Sequence, residues 1–151
     1  MRFSFLIFLL SIYLVSCTTK DKKEAKSVNT FFQHVPKDSS GIDFSNNLAY
    51  TDDLNIIEYL YYYNGGGVAV GDINNDGLDD IYLGANQSID KLYLNLGNMK
   101  FKDITESAGL KLDSTWSTGI TIEDVNNDGL LDIYVCNAGN VKGDNQKNEL
   151  F

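Results

Sequence analysis

The sequence has little of the sulfur and imidazole chemistry that builds covalent or metal cross-links. It contains two cysteines, one of them Cys17 near the N-terminus, and a single histidine, His34. Two cysteines cannot form a disulfide framework or a cysteine-based zinc site. A single histidine likewise excludes a histidine-rich metal centre.

Basic side chains are also scarce. The chain has 12 Lys and Arg residues against 21 Asp and Glu residues, a formal net charge of −9. Because nucleic-acid binding needs a basic face that neutralises phosphates, we expect no nucleic-acid partner. A hydrophobic content of 43% over 151 residues indicates one globular domain at most rather than a disordered chain.

The N-terminus has the pattern of an export signal. Residues 1–16 hold a charged start and an apolar run that is too short to span a bilayer comfortably. The sequence Leu14-Val15-Ser16-Cys17 resembles the lipobox of bacterial lipoproteins, which implies lipidation of Cys17 and a lipid-anchored, exported protein of the bacterial cell envelope. An ordinary signal peptide or short anchor is the alternative. Residues 17–30 are polar and lysine-rich, as in a flexible tether.

The remainder contains an internal repeat. Residues 67–82 align without gaps to residues 119–134, at an offset of 52, and ten of the sixteen positions are identical. The similarity resumes between residues 91–93 and 149–151. We therefore divide the chain into a lead-in at 31–66, a first repeat at 67–118 and a second at 119–151. Since residues 94–109 have no counterpart after Phe151, we expect a fragment that ends within its second repeat.

Each repeat is predicted to form short β-strands. In the first repeat, alternating or continuous apolar residues separated by turn residues predict strands near 68–70, 81–83, 92–94 and 99–104. Four strands in about 50 residues is the size of one propeller blade. The expected fold is all-β, with about two blades of an incomplete β-propeller. The aromatic lead-in is expected to add strands or a partial blade.

The candidate metal-binding residues lie in the loops at 72–80 and 124–132. Oxygen-bearing side chains occupy loop positions 1, 3, 5 and 9, and glycine occupies position 6. This arrangement wraps a chain around a hard cation, because the glycine allows the turn that brings the carbonyl of position 7 toward the ion. Crowded carboxylates repel one another until a cation neutralises them. Calcium suits such an all-protein cage better than magnesium.

Two other types of calcium-binding loop fail on spacing and on their flanks. An EF-hand requires Glu at position 12, where Leu83 and Val135 stand, and helical flanks. Dockerin-like loops would also be followed by helices and lie closer together than 52 residues. The plain alternative is a pair of Asn/Asp-Gly turns that bind nothing.

The repeats resemble FG-GAP/VCBS repeats, the blades of integrin-α-type propellers, and residues 91–110 resemble the cartilage acidic protein family. Bacterial members of that family often carry a C-terminal ASPIC/UnbV domain, which we expect to lie outside these 151 residues. The resemblance implies two calcium sites. Their ligands would be Asp72, Asn74, Asp76, the Leu78 carbonyl and Asp80 in the first loop, and Asp124, Asn126, Asp128, the Leu130 carbonyl and Asp132 in the second.

These features predict a non-catalytic, calcium-binding propeller segment that acts as a binding or adhesion scaffold for an extracellular protein or glycan. One alternative is the propeller part of an envelope enzyme, for instance one acting on polysaccharide, whose catalytic domain lies beyond Phe151. Another is a truncated reading frame. The tyrosines at 59, 61, 62 and 63 would suit sugar stacking or a half-buried strand, and Trp116 is expected to pack in the core.

Overall fold

The computed structural model describes residues 31–110, 115–138 and 147–151. The predicted signal peptide at 1–16, Cys17 and the tether that follows it lie outside the described residues. Across the described ranges, no helix has both the length and the apolar character needed to cross a membrane.

Within the described residues, the helix and the strands all belong to a unit formed by residues 34–151. It begins with one helical turn, α1, at Lys37–Ser40, and the Gly41 N–H closes this turn by donating to the Lys37 carbonyl at 2.7 Å. In the part of the chain that the structure describes, seven strands follow: β1 Val68–Gly71, β2 Asp80–Leu83, β3 Lys91–Asn95, β4 Phe101–Asp103, β5 Ser117–Glu123, β6 Asp132–Asn137 and β7 Glu149–Leu150.

The first repeat forms a four-stranded antiparallel sheet in the order β1-β2-β3-β4. Its strands fall where the apolar pattern predicts them. The β3–β4 connection is a tight turn in which the Leu96 N–H donates to the Lys100 carbonyl at 2.7 Å. Each strand therefore pairs with its neighbour in the chain, as in one propeller blade.

The second repeat forms a three-stranded antiparallel sheet in the order β5-β6-β7. Its first hairpin reproduces the register of the first repeat: Val68 pairs with Leu83, and Ile120 pairs with Val135. Both members of the second pair lie 52 residues after those of the first. The all-β, blade-type prediction is confirmed.

The main core lies between the two sheets. Tyr82 and Leu92 project from the first sheet and are each 2% exposed. They pack in one cluster with Ile133 and Val135 of the second sheet and with Leu110. The alternating burial along β6 reflects this arrangement, since one face of that strand meets the first sheet.

The lead-in strands expected within residues 31–66 do not form, because this segment contains α1 and turns. Asn55, which is 5% exposed, explains part of the difference. Its amide nitrogen donates to the Thr51 carbonyl at 3.0 Å, and its amide oxygen accepts from the Ile57 N–H at 2.8 Å. This side chain satisfies backbone groups that a strand would have used in a ladder.

The aromatic part of the lead-in packs around Trp116. This tryptophan is 2% exposed and forms a cluster with Tyr62 and Ala138. Its ring meets Tyr59 edge-on at a centroid distance of 5.2 Å. The prediction that Trp116 lies in the core is confirmed, whereas Tyr61 and Tyr63 remain 62% and 67% exposed.

Candidate metal centres in the inter-strand loops

The two candidate loops occupy equivalent places in the fold. The first joins β1 to β2, and the second joins β5 to β6. In both, position 1 follows directly after a strand and position 9 is the first residue of the next strand. The hairpin register therefore sets the distance that the loop must bridge.

The carboxylate at position 1 organises each loop. Asp72 accepts hydrogen bonds from the N–H groups of Asp76 at 3.0 Å and Gly77 at 2.7 Å. Asp124 accepts the equivalent pair of bonds, at 3.0 and 2.8 Å. Each aspartate thus folds the following five residues back toward its own side chain.

Positions 3 and 5 add a second set of contacts. The Asn74 amide oxygen accepts from the Asp76 N–H at 3.1 Å, and Asp76 in turn accepts from the Leu78 N–H at 2.8 Å. The second loop repeats both contacts, at 2.9 and 2.8 Å. The side chains at positions 1, 3 and 5 consequently take part in one hydrogen-bonded turn.

Position 9 ties the end of each loop to its beginning. Asp80 accepts from the Ile73 N–H at 3.1 Å, and Asp132 accepts from the Val125 N–H at 3.0 Å. Asp80 is fully buried and also accepts from the Asn95 N–H of β3 at 2.7 Å. The first loop is therefore anchored to a third strand as well as to its own hairpin.

The backbone of each loop passes twice through the left-handed region. Asn75 and Gly77 have φ values of 57° and 85°, and Asn127 and Gly129 have values of 61° and 88°. Glycine adopts this conformation without the steric penalty of a β-carbon, and asparagine tolerates it better than most residues. The Asn-Asp-Gly sequence at positions 4–6 is therefore required by the turn itself.

The donor set suits a hard divalent cation. Carboxylate and amide oxygens are the ligands that calcium prefers, and each carboxylate oxygen retains lone pairs beyond the one used by a backbone N–H. Within the described ranges, no group of three His, Cys, Asp or Glu side chains converges on a metal-binding point. One contact in each loop directs the asparagine amide nitrogen to a carboxylate instead: Asn74 donates to Asp76 at 2.9 Å, and Asn126 donates to Asp128 at 3.0 Å.

A buried polar cluster also joins the two sheets, and the motif analysis did not identify it. At its centre is Asp90, 7% exposed, in the connection before β3. Asp90 accepts from the Ala85 N–H at 2.7 Å, from the Tyr82 hydroxyl at 3.0 Å and from the Ser117 hydroxyl at 2.8 Å. Because Ser117 begins β5, this carboxylate connects the first blade to the second.

The second repeat contains the same arrangement with a neutral residue. Asn148 precedes β7 as Asp90 precedes β3. It accepts from the Asn137 N–H at 3.0 Å, and its amide nitrogen donates to the Tyr134 hydroxyl at 2.9 Å. Aligning residues 91–93 with 149–151 already pairs Asp90 with Asn148, so the repeat held a signal for this site. Its burial could not be deduced from that pairing.

Burial perturbs the protonation of this cluster. Desolvation raises the pKa of Asp90 above its ordinary value, although the hydrogen bonds from Ala85, Ser117 and Tyr82 oppose the increase. The pKa of Tyr82 is raised as well, first by burial and then by the charge of Asp90. The carboxylate thus carries a desolvation cost that its neutral counterpart Asn148 avoids.

Comparison with known proteins identifies the repeat type. Residues 72–135 match the family of FG-GAP-like repeats. The matching segment begins at the first residue of the first loop and extends past the second, so it contains both candidate metal centres. No curated protein and no solved structure matches the chain.

The FG-GAP-like match and the two antiparallel sheets agree on a propeller-like scaffold. All the side chains predicted as ligands lie in the two inter-strand loops, and within each loop their oxygens share one hydrogen-bonded turn. Calcium ligation by these residues remains a prediction. Lipidation of Cys17 lies outside the described residues.

Proposed function

We propose that this protein is a calcium-stabilised, non-catalytic β-propeller scaffold of the cartilage acidic protein type. In this proposal it is exported and lipid-anchored through Cys17 in a bacterial cell envelope, and it binds an extracellular protein or glycan. The observation that carries the calcium proposal is the repetition, at both loops, of the same hydrogen-bonded turn built on Asp72 and Asp124.

The two loops differ at positions outside the ligand pattern but keep the oxygen-bearing side chains within it, which supports a ligand common to both loops. Position 8 is Asp79 in the first loop and Leu131 in the second, and position 2 changes from Ile73 to Val125. Oxygen-bearing side chains remain at all four inward positions. Calcium bound there would neutralise the clustered carboxylates and hold together the two strands that each loop joins.

Binding would require a small local rearrangement. The hydrogen bond from the Asn74 amide nitrogen to Asp76 would give way, so that the amide oxygen and the carboxylate both face the ion. The hydrogen bonds that Asp72 accepts from the backbone N–H groups would persist, because its carboxylate has acceptor capacity left for a cation. A loop that needs little reorganisation pays little conformational entropy on binding.

Isothermal titration of the full chain with calcium chloride tests the proposal. We expect two sites, with dissociation constants of about 10⁻⁴ to 10⁻³ M as in extracellular calcium modules. Asp76→Ala should remove one site, and Asp76→Ala with Asp128→Ala should remove both. Asp79→Ala is the matched control, since it removes one carboxylate from the same loop at a position outside the ligand pattern. Equal calcium uptake by the unmodified chain and the double variant would refute the ligand assignment.

Metabolic labelling with a radioactive fatty acid in a bacterial host tests the anchor. The full chain should incorporate label and fractionate with membranes, whereas Cys17→Ser should remain unlabelled. Cys136→Ser is the matched control and should be labelled normally. Equal labelling of the Cys17→Ser variant would contradict the proposed anchor.

A further inference from the structure

Three turns lie at one end of the two sheets, which we call the loop end. They are the loops at 72–80 and 124–132 and the β3–β4 turn at 96–100. A β-carbon on Gly97 would lie 3.9 Å from Leu78 Cδ1, so the first loop adjoins the β3–β4 turn. A β-carbon on Gly71 would lie 3.2 Å from Leu131 Cδ1, which places the second loop beside the end of β1. Blades of a propeller pack through their sheet faces, so a neighbouring blade would leave the loop end open.

Each of these turns presents apolar side chains to solvent. Leu96, Met99, Val125 and Leu130 are each 56–58% exposed, and Leu78, which holds the loop position of Leu130, is 36% exposed. Single exposed apolar residues need no explanation, but several at one end of a molecule mark a contact surface. Because these residues belong to separate turns and not to one sheet face, they suit insertion among lipid headgroups better than packing on a flat protein surface.

The folded unit also begins at the loop end. It starts at His34, and His34 lines one cavity with Met99 of the β3–β4 turn. Cys17 precedes His34 by 17 residues, which span at most about 60 Å in an extended chain. A lipid on Cys17 would therefore keep the loop end close to a membrane. Since such a tether gives a high effective concentration, weak contacts are enough for docking.

Charge decides when the loop end can approach a membrane. The three turns contain seven aspartates and one lysine, Lys100, a formal charge of −6. Carboxylates without a counterion lose water at a high cost when they enter a headgroup layer. Calcium in both loops would reduce the formal charge to −2. The remaining charge is still negative, so apolar contact and not attraction to anionic lipid would drive docking.

We propose that the loop end docks on a membrane of zwitterionic phospholipid when its two loops hold calcium. This inference rests on the calcium sites and the lipid anchor of the proposed function. Leu78 and Leu130 couple the two events, because each would offer its carbonyl to the ion and its side chain to the lipid. Calcium thus changes an anchored domain that is free to turn into one held with its loop end on the membrane.

A fluorophore at the loop end tests this proposal. An environment-sensitive dye is attached to Leu96→Cys in the full chain, with Cys17→Ser and Cys136→Ser to remove the other thiols. The apolar run within residues 1–16 remains and holds every variant on phosphatidylcholine vesicles in place of the lipid. Calcium chloride should shift the dye emission to shorter wavelength, because the dye leaves water, and a chelator should reverse the shift.

Tyr50→Cys provides the matched position for the dye at the opposite end of the first sheet. Tyr50 is exposed to a similar extent as Leu96. It follows Ala49, whose N–H donates to the Gln87 side chain in the β2–β3 connection at 2.6 Å. Calcium should leave the emission of this dye unchanged.

Leu78→Ser with Leu130→Ser tests the insertion of the apolar side chains. Both carbonyls remain, so calcium uptake should be unchanged, whereas docking should weaken about 10-fold. Ile57→Ser with Leu60→Ser is the matched control, since it removes two exposed aliphatic side chains from the lead-in. This control should dock as the unmodified loops do, and equal shifts in all three chains would overturn the proposal.

Calcium titration of the same chains separates this inference from the proposal beneath it. Two calcium sites without a change in emission would overturn membrane docking and leave the calcium sites standing. A calcium-induced shift in the absence of vesicles would assign the loop end to a protein contact and also overturn docking. Absence of calcium uptake by the chain with unmodified loops would overturn both.

Discussion

The Ser117 hydroxyl donates to the Asp90 carboxylate and lies 3.0 Å from Oδ1 and 2.8 Å from Oδ2. This contact joins the first blade to the second. Asn137 belongs to the same cluster, because its amide oxygen lies 3.2 Å from the Ser117 hydroxyl. The blades are therefore held by a buried polar cluster as well as by the aliphatic core. Satisfied clusters of this kind specify one packing arrangement, because any other would leave buried groups unpaired.

Replacing Asp90 should separate the effects of charge and of hydrogen bonding. Asp90→Ala leaves the Ala85 N–H and the Tyr82 hydroxyl without their acceptor and removes the shorter bonds of the Ser117 hydroxyl, which keeps the Asn137 oxygen at 3.2 Å. We expect a loss of about 3 kcal/mol in the free energy of unfolding. Asp90→Asn should cost much less, because Asn148 makes the equivalent contacts in the second repeat. Urea unfolding at neutral pH measures both. Equal destabilisation by the two variants would contradict the proposed hydrogen-bonding role.

Asp90 should also impose a pH dependence on stability. Burial raises its pKa in the folded protein above the ordinary value of 3.8, so the folded state holds this proton to higher pH than the unfolded chain. The contribution to stability is fully present below 3.8 and is lost as the pH rises through the folded-state pKa. The difference in unfolding free energy between the unmodified chain and Asp90→Asn should therefore shrink as the pH increases across that window. A constant difference would show that the carboxyl has no raised pKa.

A conservative change at Ile120 should rescue a substitution at Gly84. Gly84→Ala places its β-carbon 2.8 Å from Ile120 Cδ1, and we expect a loss of about 1 to 2 kcal/mol. Ile120→Val removes that terminal carbon, so the double variant should be more stable than the sum of the single effects predicts. Thermal unfolding of the four proteins in this cycle gives the coupling energy.

Gly66→Ala is the matched control for that cycle. Its β-carbon would collide with the Gly84 carbonyl oxygen, a backbone atom that a shorter Ile120 side chain does not move. We therefore expect a larger loss than for Gly84→Ala and no rescue by Ile120→Val. Rescue of both alanine variants would mean that Ile120→Val stabilises the protein in some general way.

The glycine at position 6 of each loop should be replaceable by asparagine but not by alanine. A β-carbon on Gly77 or Gly129 meets nothing within 4 Å, yet both residues have φ values above 80°. Gly77→Ala should therefore cost about 1 to 2 kcal/mol through backbone strain alone. Gly77→Asn should cost less, because asparagine tolerates this conformation. Urea midpoints compare the two, and equal values would argue against strain as the cause.

Trp116 should contribute through ring packing and not through its indole N–H. This nitrogen is buried without a hydrogen-bond partner among the described residues, while the ring meets Tyr59 and Tyr62. Trp116→Ala should cost about 3 to 5 kcal/mol, and Trp116→Phe should cost clearly less because it keeps an aromatic ring and removes the unpaired donor. Tyr50→Ala, at a residue 61% exposed, is the surface control and should change stability by less than about 0.5 kcal/mol. A large loss for Trp116→Phe would instead indicate a role for the N–H.

The lead-in shows where local pattern fails. The run of apolar and aromatic residues at 56–63 favours a strand by composition, yet it is wound into turns around Trp116. The competing interactions come from Asn55, whose side chain captures nearby backbone groups, and from a tryptophan more than 50 residues away. Strand propensity describes residues that suit a half-buried pleated surface. Here the apolar side chains pack against the aromatic cluster around Trp116 and not against a neighbouring strand.

The sequence by itself determined the local structure of each repeat, because that structure depends on near neighbours. Alternating apolar residues specify the strands, and the Asp-x-Asn-x-Asp-Gly spacing specifies a turn whose oxygens face inward. A 52-residue offset is enough to show that the two units are built alike. These features also carry the calcium hypothesis, since the proposed ligands of each ion lie within nine consecutive residues.

Only the tertiary structure decided which faces of these units meet. Asp90 and Ser117 are 27 residues apart, the first in a connection of the first blade and the second in β5 of the second, and their contact depends on how one blade packs on the other. The same holds for Ile120 above Gly84. A repeat makes equivalent residues look alike in sequence, but burial depends on what occupies the space beside them, and that is a property of the folded assembly.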